Sequence, residues 1–185
     1  HSEASIVFIT NKHLYNKVSD IIAATPTIKE TYLIKASEGL KSLQELIDLG
    51  NENKDAETLE ARKAEVKNED VATILYTSGT MGTPKGVMLT HRNILSIVEY
   101  LCPLYPINET HDALSYLPLS HIYERAVQYC HIYLGCATYY VDNIGAIIET
   151  MAEVKPKHFT SVPRLIAKVY HTIVRKGHKL KGIKQ

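Results

Sequence analysis

The strongest constraint on the fold is the alternation of short β-prone runs with helical segments in the second half of the chain. The predicted strands are 113–118, 137–141 and 158–162, and the predicted helices are 120–134, 144–154 and 163–176. Because each strand is followed by a helix, successive strands need crossover connections, which give a mainly parallel β-sheet layered with helices. The sequence therefore predicts an α/β fold that binds ligands at the carboxyl ends of its strands.

The first half of the chain has the same kinds of elements with longer polar stretches between them. Its predicted strands are 5–9, 31–35, 71–76 and 87–90. The polar stretch 41–67 suits one or two exposed helices, with Gly50 and Asn51 as the break. A further helix should begin at Thr90 or His91. Because the chain starts without Met close to an apolar run and stops in a basic stretch, we expect it to be a piece of a longer protein.

Composition excludes several classes of protein. The chain has 185 residues, of which 45% are hydrophobic and 22% charged, as in ordinary soluble globular domains. A formal net charge of +1 gives no global field for binding nucleic acid. We find no apolar run long enough to span a bilayer and no secretory signal. The three cysteines, Cys102, Cys130 and Cys136, lack metal-binding spacing, so we interpret them as small buried apolar residues of a cytoplasmic protein.

One segment carries most of the chemistry: YTSGTMGTPKGVMLTH, residues 76–91. Its residues 77–86 hold three glycines, four hydroxyl side chains and one lysine between two β-prone runs. Glycines let the backbone turn sharply and approach a ligand, and successive backbone N–H groups can surround an anion. The hydroxyls add donors, and Lys85 adds a point charge suited to phosphate. The loop therefore predicts a binding site for a triphosphate.

This loop differs from the common phosphate-binding motifs. Gly79 and Lys85 have the spacing of a Walker A loop, but Pro84 and Gly86 occupy the positions of its second glycine and its Mg²⁺-binding Ser or Thr. A strand-prone run, VMLT, follows where a Walker A lysine would open a helix. The segment also lacks the G-x-G-x-x-G pattern. A P-loop NTPase, a kinase and a Rossmann dinucleotide site all fit poorly.

The segment instead resembles the signature loop of the adenylate-forming superfamily, which includes acyl-CoA synthetases, firefly luciferase and peptide-synthetase adenylation domains. That pattern is Tyr-Thr-Ser-Gly-Thr/Ser-Thr-Gly-x-Pro-Lys-Gly, a short strand, and Thr/Ser-His. Met81 replaces the usual Thr, and we expect one weakened or re-routed phosphate contact there. The resemblance implies that the β- and γ-phosphates of ATP are held by Thr77, Ser78, Gly79, Thr80, Gly82, Thr83 and Lys85. It also implies that Thr77 reaches Mg²⁺.

Two further segments narrow the resemblance to the long-chain fatty-acid branch: SYLPLSHIYERAVQYCHIYLGCATYY, 115–140, and SVPRLIAKVY, 161–170. The implied activity joins a fatty acid to ATP, giving acyl-AMP and pyrophosphate, and then transfers the acyl group to coenzyme A. Adenine, ribose and hinge residues are expected beyond residue 185, so the isolated chain should be inactive. The alternatives are another adenylate-forming ligase, luciferase-like or aryl-acid chemistry, and a non-catalytic nucleotide-binding module.

The resemblance also implies a domain organisation, a partial N-terminal AMP-binding domain over 1–185. Its parts would be a strand and helix segment at 1–70, the phosphate-binding strand-loop-strand at 71–91, and a segment at 92–185 that lines the acyl pocket. The small-molecule substrates implied are a fatty acid, ATP and coenzyme A. Acyl chain length and oligomeric state are not predicted.

Several side chains after the loop have two interpretations. In the family a His at the place of His121 borders the acyl and carboxylate pocket; the alternative is a local hydrogen bond at the helix start. Tyr123 lines either the acyl tunnel or the core. Glu124 and Arg125 are adjacent and cannot face each other on one helix face, so we interpret them as structural ion partners. Arg164 is not assigned to ATP, and no catalytic residue is assigned.

The basic residues at the end of the chain are interpreted mainly as a solvated helix end. They are Arg175, Lys176, Lys179, Lys181 and Lys184. Peripheral contact of this stretch with anionic lipid at the inner face of a membrane is the alternative.

Overall fold

The structure, a computed structural model, describes residues 2–78 and 82–177. The chain divides into two compact units, His1–Lys67 and Asn68–Gln185. Each unit has its own parallel strand pairing, so the predicted α/β fold with mainly parallel pairing is confirmed. The predicted domain boundaries stay a prediction.

The first unit is a βαβ arrangement followed by two helices. Its elements are β1 (Ile6–Ile9), α1 (Lys12–Ala23), β2 (Glu30–Leu33), α2 (Leu43–Glu52) and α3 (Ala56–Glu65). Strands β1 and β2 pair in parallel, with Ile9 opposite Leu33, and α1 is the crossover between them. Each helix begins with a side-chain cap, from Asn11, Ser42 and Asp55 respectively.

The predicted helix break at Gly50 and Asn51 is wrong, because both residues lie inside α2. A glycine inside a helix costs only about 1 kcal/mol relative to alanine, which does not end a helix by itself. The break lies at Asn53–Asp55 instead. There the Asp55 Oδ1 accepts from the Thr58 N–H at 3.0 Å and begins α3.

The second unit opens with an antiparallel hairpin, β3 (Val71–Thr77) and β4 (Lys85–Thr90). The return strand begins two residues before the predicted Val87. Helix α4 (His91–Leu101) follows directly, and a capping box between Thr90 and Asn93 begins it. A short 3₁₀ turn that contains Pro103 ends this part of the chain.

The remaining strands form a three-stranded parallel sheet in the order β6-β5-β7. The elements are β5 (Asp112–Ser115), α5 (Ile122–Leu134), β6 (Ala137–Tyr140), α6 (Ile147–Val154), β7 (His158–Phe159) and α7 (Pro163–Gly177). The predicted ends of two of these strands are three residues too late: β5 stops at Ser115 and β7 at Phe159. After β5 the chain turns, with the His121 N–H donating to the Pro118 carbonyl at 2.9 Å, and α5 begins at Ile122 rather than at 120.

The core of the second unit lies between its sheet and its helices. Ala113 and Leu114 of β5 are buried, and α4 and the 3₁₀ turn after it pack on α5 through Val98, Cys102 and Cys130. All three cysteines are free thiols; Cys102 and Cys130 are buried as predicted, and Cys136 is half-buried. Burial, with the neighbouring Cys102 thiol, raises the pKa of Cys130 to about 12, so this thiol stays protonated.

None of the helices in the described ranges has the length and apolar character needed to cross a membrane. Lys179, Lys181 and Lys184 of the basic stretch lie outside the described residues, and the membrane-contact alternative stays a prediction.

Candidate functional site

The phosphate-loop segment, residues 76–91, contains the end of β3, the loop that connects β3 to β4, and β4 itself. Thr77 stands opposite Lys85 as the last pair of the ladder, so the loop spans 78–84 between two hydrogen-bonded strands. Thr77, Ser78, Thr83 and Lys85 are all exposed. Lys85 forms no salt bridge to an acidic side chain within residues 2–78 and 82–177. The described part of the loop therefore offers hydroxyls and a cation to solvent.

Two positions of the segment require glycine, each for a different structural reason. Gly82 has φ +84°, a left-handed conformation that other residues adopt only with strain. Gly86 is opposite Tyr76 on the neighbouring strand, and a Cβ there would lie 3.0 Å from Ile74 Cγ2 and 3.3 Å from the Tyr76 ring. Gly79, Thr80 and Met81 lie outside the described residues. These three residues are half of the range 78–83, where we expect a mobile loop in the absence of ligand.

A second feature is a pocket of about 650 Å³ at the carboxyl ends of β5 and β6. It is lined by Ser115, Tyr116, Leu117, Pro118, Leu119, Tyr140, Val141, Asp142, Ile144, Val162, Arg164 and Leu165. Most of these side chains are apolar, and Asp142 and Arg164 are the charged ones. Parallel α/β sheets bind ligands at this edge, and apolar pockets with a few polar groups are typical ligand sites. Burial raises the pKa of Tyr116, which keeps its phenol neutral.

Sequence reasoning missed several of these lining residues. Tyr116 was assigned to a strand, and Tyr140 and Asp142 were given no role in binding. The signal that could have found them is position: each lies at or just past the carboxyl end of a parallel strand, where ligands of such sheets bind.

His121 and Tyr123 lie where the pocket-lining segment runs into α5. His121 is the N-cap of that helix, and its Nδ1 accepts from the Tyr123 N–H at 3.3 Å. Both side chains are exposed, and neither is among the residues that line the pocket. The local hydrogen bond considered for His121 is present. Its pocket role and that of Tyr123 stay predictions.

The next two residues of α5 make contacts in different directions. Glu124 is buried; its Oε1 accepts from Ser115 Oγ at 2.5 Å and its Oε2 from Thr160 Oγ1 at 2.9 Å. Arg125 donates from Nε to the Leu119 carbonyl and from Nη1 to Thr73 Oγ1, both at 3.1 Å. In the part of the chain that the structure describes, neither charge is in a salt bridge. The ion-partner interpretation is therefore wrong: hydroxyls and a carbonyl satisfy both groups.

No group of three or more His, Cys, Asp or Glu side chains within residues 2–78 and 82–177 is placed to hold a metal ion.

The chain is similar to curated long-chain acyl-CoA synthetases and ligases over most of its length. Long chain acyl-CoA synthetase 4 of Arabidopsis thaliana is 31% identical over 202 residues, covering 95% of this chain and 28% of the relative. The long-chain-fatty-acid–CoA ligase FadD15 of Mycobacterium tuberculosis is 31% identical over 173 residues, covering 92% of this chain and 28% of the relative. The chain thus spans somewhat more than a quarter of the length of these relatives.

The fold has a solved counterpart in the crystal structure of a long-chain-fatty-acid-CoA ligase from Archaeoglobus fulgidus. The TM-score is 0.77 at 24% identity, over 95% of this chain and 34% of that one, a likeness that establishes the fold. The family described as "AMP-binding enzyme" matches residues 1–185. The chain belongs to the AMP-binding enzyme family.

Proposed function

We propose that this chain is part of the N-terminal domain of an ATP-dependent long-chain fatty acid–CoA ligase. The observation that carries the proposal is the hairpin register, in which Thr77 and Lys85 flank the glycine- and hydroxyl-rich loop that connects two paired strands. The proposed reaction joins a fatty-acid carboxylate to ATP, releasing pyrophosphate, and coenzyme A then displaces AMP to form the thioester. The small-molecule partners are therefore a fatty acid, ATP and coenzyme A.

The proposed role of the loop is to bind the β- and γ-phosphates. Phosphate oxygens would accept hydrogen bonds from the hydroxyls of Thr77, Ser78 and Thr83 and from backbone N–H groups of the loop. Gly79, Thr80 and Gly82 are the other loop residues that we propose to hold the phosphates. Lys85 would stabilise the negative charge that develops on those oxygens, because a fixed cation is most effective where charge accumulates in the transition state. Lys85 is exposed and free of a described acidic partner, which supports this role.

Magnesium fits this site only as a component of the substrate Mg·ATP. The hydroxyl of Thr77 is an oxygen ligand of the kind that Mg²⁺ accepts, and phosphate oxygens and water would supply the others.

The apolar pocket beside the sheet is the proposed place for part of the acyl chain. Its segment Tyr116–Leu119 leads directly to His121 and Tyr123, which supports placing those two side chains at the border of the acid. Hydrocarbon in such a pocket is stabilised in proportion to the apolar area removed from water.

The test uses the full-length protein and the Lys85→Ala variant. Fatty-acid-dependent ATP–pyrophosphate exchange should fall at least tenfold, because a hydrogen bond to a charged group contributes roughly 1.5–3 kcal/mol. Lys63→Ala is the matched control, since Lys63 is an exposed lysine of α3 paired with Glu60. Unchanged exchange in Lys85→Ala would remove the lysine from the site.

The same assay separates the alternatives. Exchange with aryl acids and none with fatty acids would favour a different adenylate-forming enzyme. ATP binding without exchange for any acid would favour a non-catalytic module.

A further inference from the structure

Arg125 connects the two features of the site. Its Nη1 donates to Thr73 in β3, the strand that runs into the phosphate loop, and its Nε donates to the carbonyl of Leu119, which lines the pocket. Thr73 lies in the same strand as Thr77, and Leu119 lies in the segment between β5 and α5. One half-buried side chain thus spans the hairpin and the pocket wall.

The chemistry of arginine makes this connection rigid. A guanidinium is planar, and its N–H donors point in fixed directions relative to one another. Once Nε and Nη1 are both bonded, the spacing between the Leu119 carbonyl and the Thr73 hydroxyl is set by the guanidinium itself. A lysine ammonium has all three of its donors on one nitrogen, so it cannot fix the spacing that the two guanidinium nitrogens set.

The backbone of Arg125 is also held in place, because the residue before it makes two buried hydrogen bonds. Glu124, the preceding residue, is 1% exposed and accepts from Ser115 at the end of β5 and from Thr160 just after β7. The first turn of α5 is therefore bonded to two strand ends of the parallel sheet. A movement of Arg125 relative to that sheet would break a buried hydrogen bond, which costs more than losing an exposed one.

We propose that Arg125 is a positioning residue that fixes β3, and through it the phosphate loop, relative to the acid-binding pocket. The proposal rests on the proposed function, in which a carboxylate in the pocket must meet ATP at the loop. Displacing reacting groups by about 1 Å can slow a reaction by a factor of about 100. Arg125 touches neither substrate in this scheme and acts through Thr73 and Leu119.

The kinetic test compares three variants of the full-length protein. In Arg125→Lys and in the near-isosteric Thr73→Val, kcat for pyrophosphate exchange should fall about tenfold, with KM for ATP and for the fatty acid changed less than threefold. The double variant should be no slower than Arg125→Lys alone, because both changes break the same contact. Arg92→Lys is the control, and its kcat should stay within twofold. Arg92 Nε donates to exposed Glu69 at 2.6 Å, and neither residue lines the pocket.

A merely structural role would give a different result. It would lower the melting temperature of both variants while kcat per folded molecule stayed within twofold of wild type, and that outcome overturns the proposal. If Arg125→Lys fails to fold, Thr73→Val still decides, because it removes one hydroxyl and keeps the side-chain shape.

A second readout keeps this proposal separate from the proposed function. Hydrogen–deuterium exchange of the full-length protein should show weaker protection of 73–77 and 85–89 in both variants and not in Arg92→Lys. If the wild-type protein catalyses no fatty-acid-dependent exchange, the proposed function fails and this measurement alone decides. Unchanged protection in both variants would then overturn the positioning role.

Discussion

A buried histidine pair predicts that the fold loses stability in mild acid. His131 of α5 is 1% exposed, and its Nε2 lies 2.9 Å from Nδ1 of His158 in β7. Nδ1 of His131 has no hydrogen-bond partner among the described residues. Burial, and then the neighbouring His158, lower the pKa of His131 from 6.5 to about 4. Burial also lowers the pKa of His158, partly opposed by the charge of Glu124.

The direction of the effect follows from proton binding. As pH falls below about 6.5 the unfolded chain protonates this histidine, whereas the folded chain does so only near pH 4, so the free energy of unfolding falls in between. Each pKa unit corresponds to about 1.4 kcal/mol. Stability from His131 is complete above pH 6.5, and its loss should reach about 2 kcal/mol by pH 5 and about 3 kcal/mol by pH 4.

The assay is urea denaturation of the 185-residue chain at pH 7.5, 6 and 5, a range above most carboxylate titrations. His131→Gln removes the titrating group, so its free energy of unfolding should depend less on pH, whatever its absolute stability. His171→Gln, at an exposed position of α7, is the control and should keep the wild-type dependence. If wild type and His131→Gln show the same change between pH 7.5 and 5, the histidine pair does not carry the effect.

Three other predictions concern the site and the backbone. Changing Tyr123 to Ala or Trp should shift the preferred acyl length in the full-length protein; a change in KM for ATP instead would place Tyr123 near the nucleotide. The isolated chain should bind Mg·ATP no tighter than about millimolar, since adenine and ribose contacts share the ordering cost, and a low-micromolar Kd by calorimetry would contradict this. Gly50→Ala, inside α2 with open space around it, should stabilise by about 0.5–1 kcal/mol. Gly135→Ala should destabilise by about 1–2 kcal/mol, because its φ is +72° and a Cβ would lie 3.2 Å from Glu109; equal changes in urea midpoint would refute the contrast.

The sequence predicted the type and order of most elements but not the ends of the strands. Tyr116 and Leu117 have high β-propensity and follow a buried strand, so a local reading extends β5 to Pro118. In the structure these two side chains line the pocket, and the chain turns back toward α5. The end of a strand depends on which neighbour it still pairs with, and β5 has partners only as far as Ser115.

The glycines of the phosphate-loop segment were likewise predictable only in part from the sequence. Their number predicted a backbone that a ligand could approach, and Gly82 has the positive φ that such a loop requires. Gly86 has a different reason, the Tyr76 ring packed over it from the opposite strand. Composition cannot separate the two reasons. The register of the hairpin can, because it identifies the residue across from each glycine.

The adjacency of Glu124 and Arg125 in the sequence contains information that the sequence-based prediction does not use. Adjacent residues of a helix point about 100° apart, so the sequence predicts that the two charges do not meet and have ion partners elsewhere. The same angle has a second consequence, that one helix turn can reach two different structures at once. Glu124 accepts a hydrogen bond from Ser115 of the parallel sheet, and Arg125 donates one to Thr73 of β3. Two adjacent opposite charges at the start of a helix that follows a pocket-lining segment therefore favour a link between two parts of a site. Which parts are linked depends on tertiary contacts, here 9 residues apart in sequence for one side chain and 52 for the other.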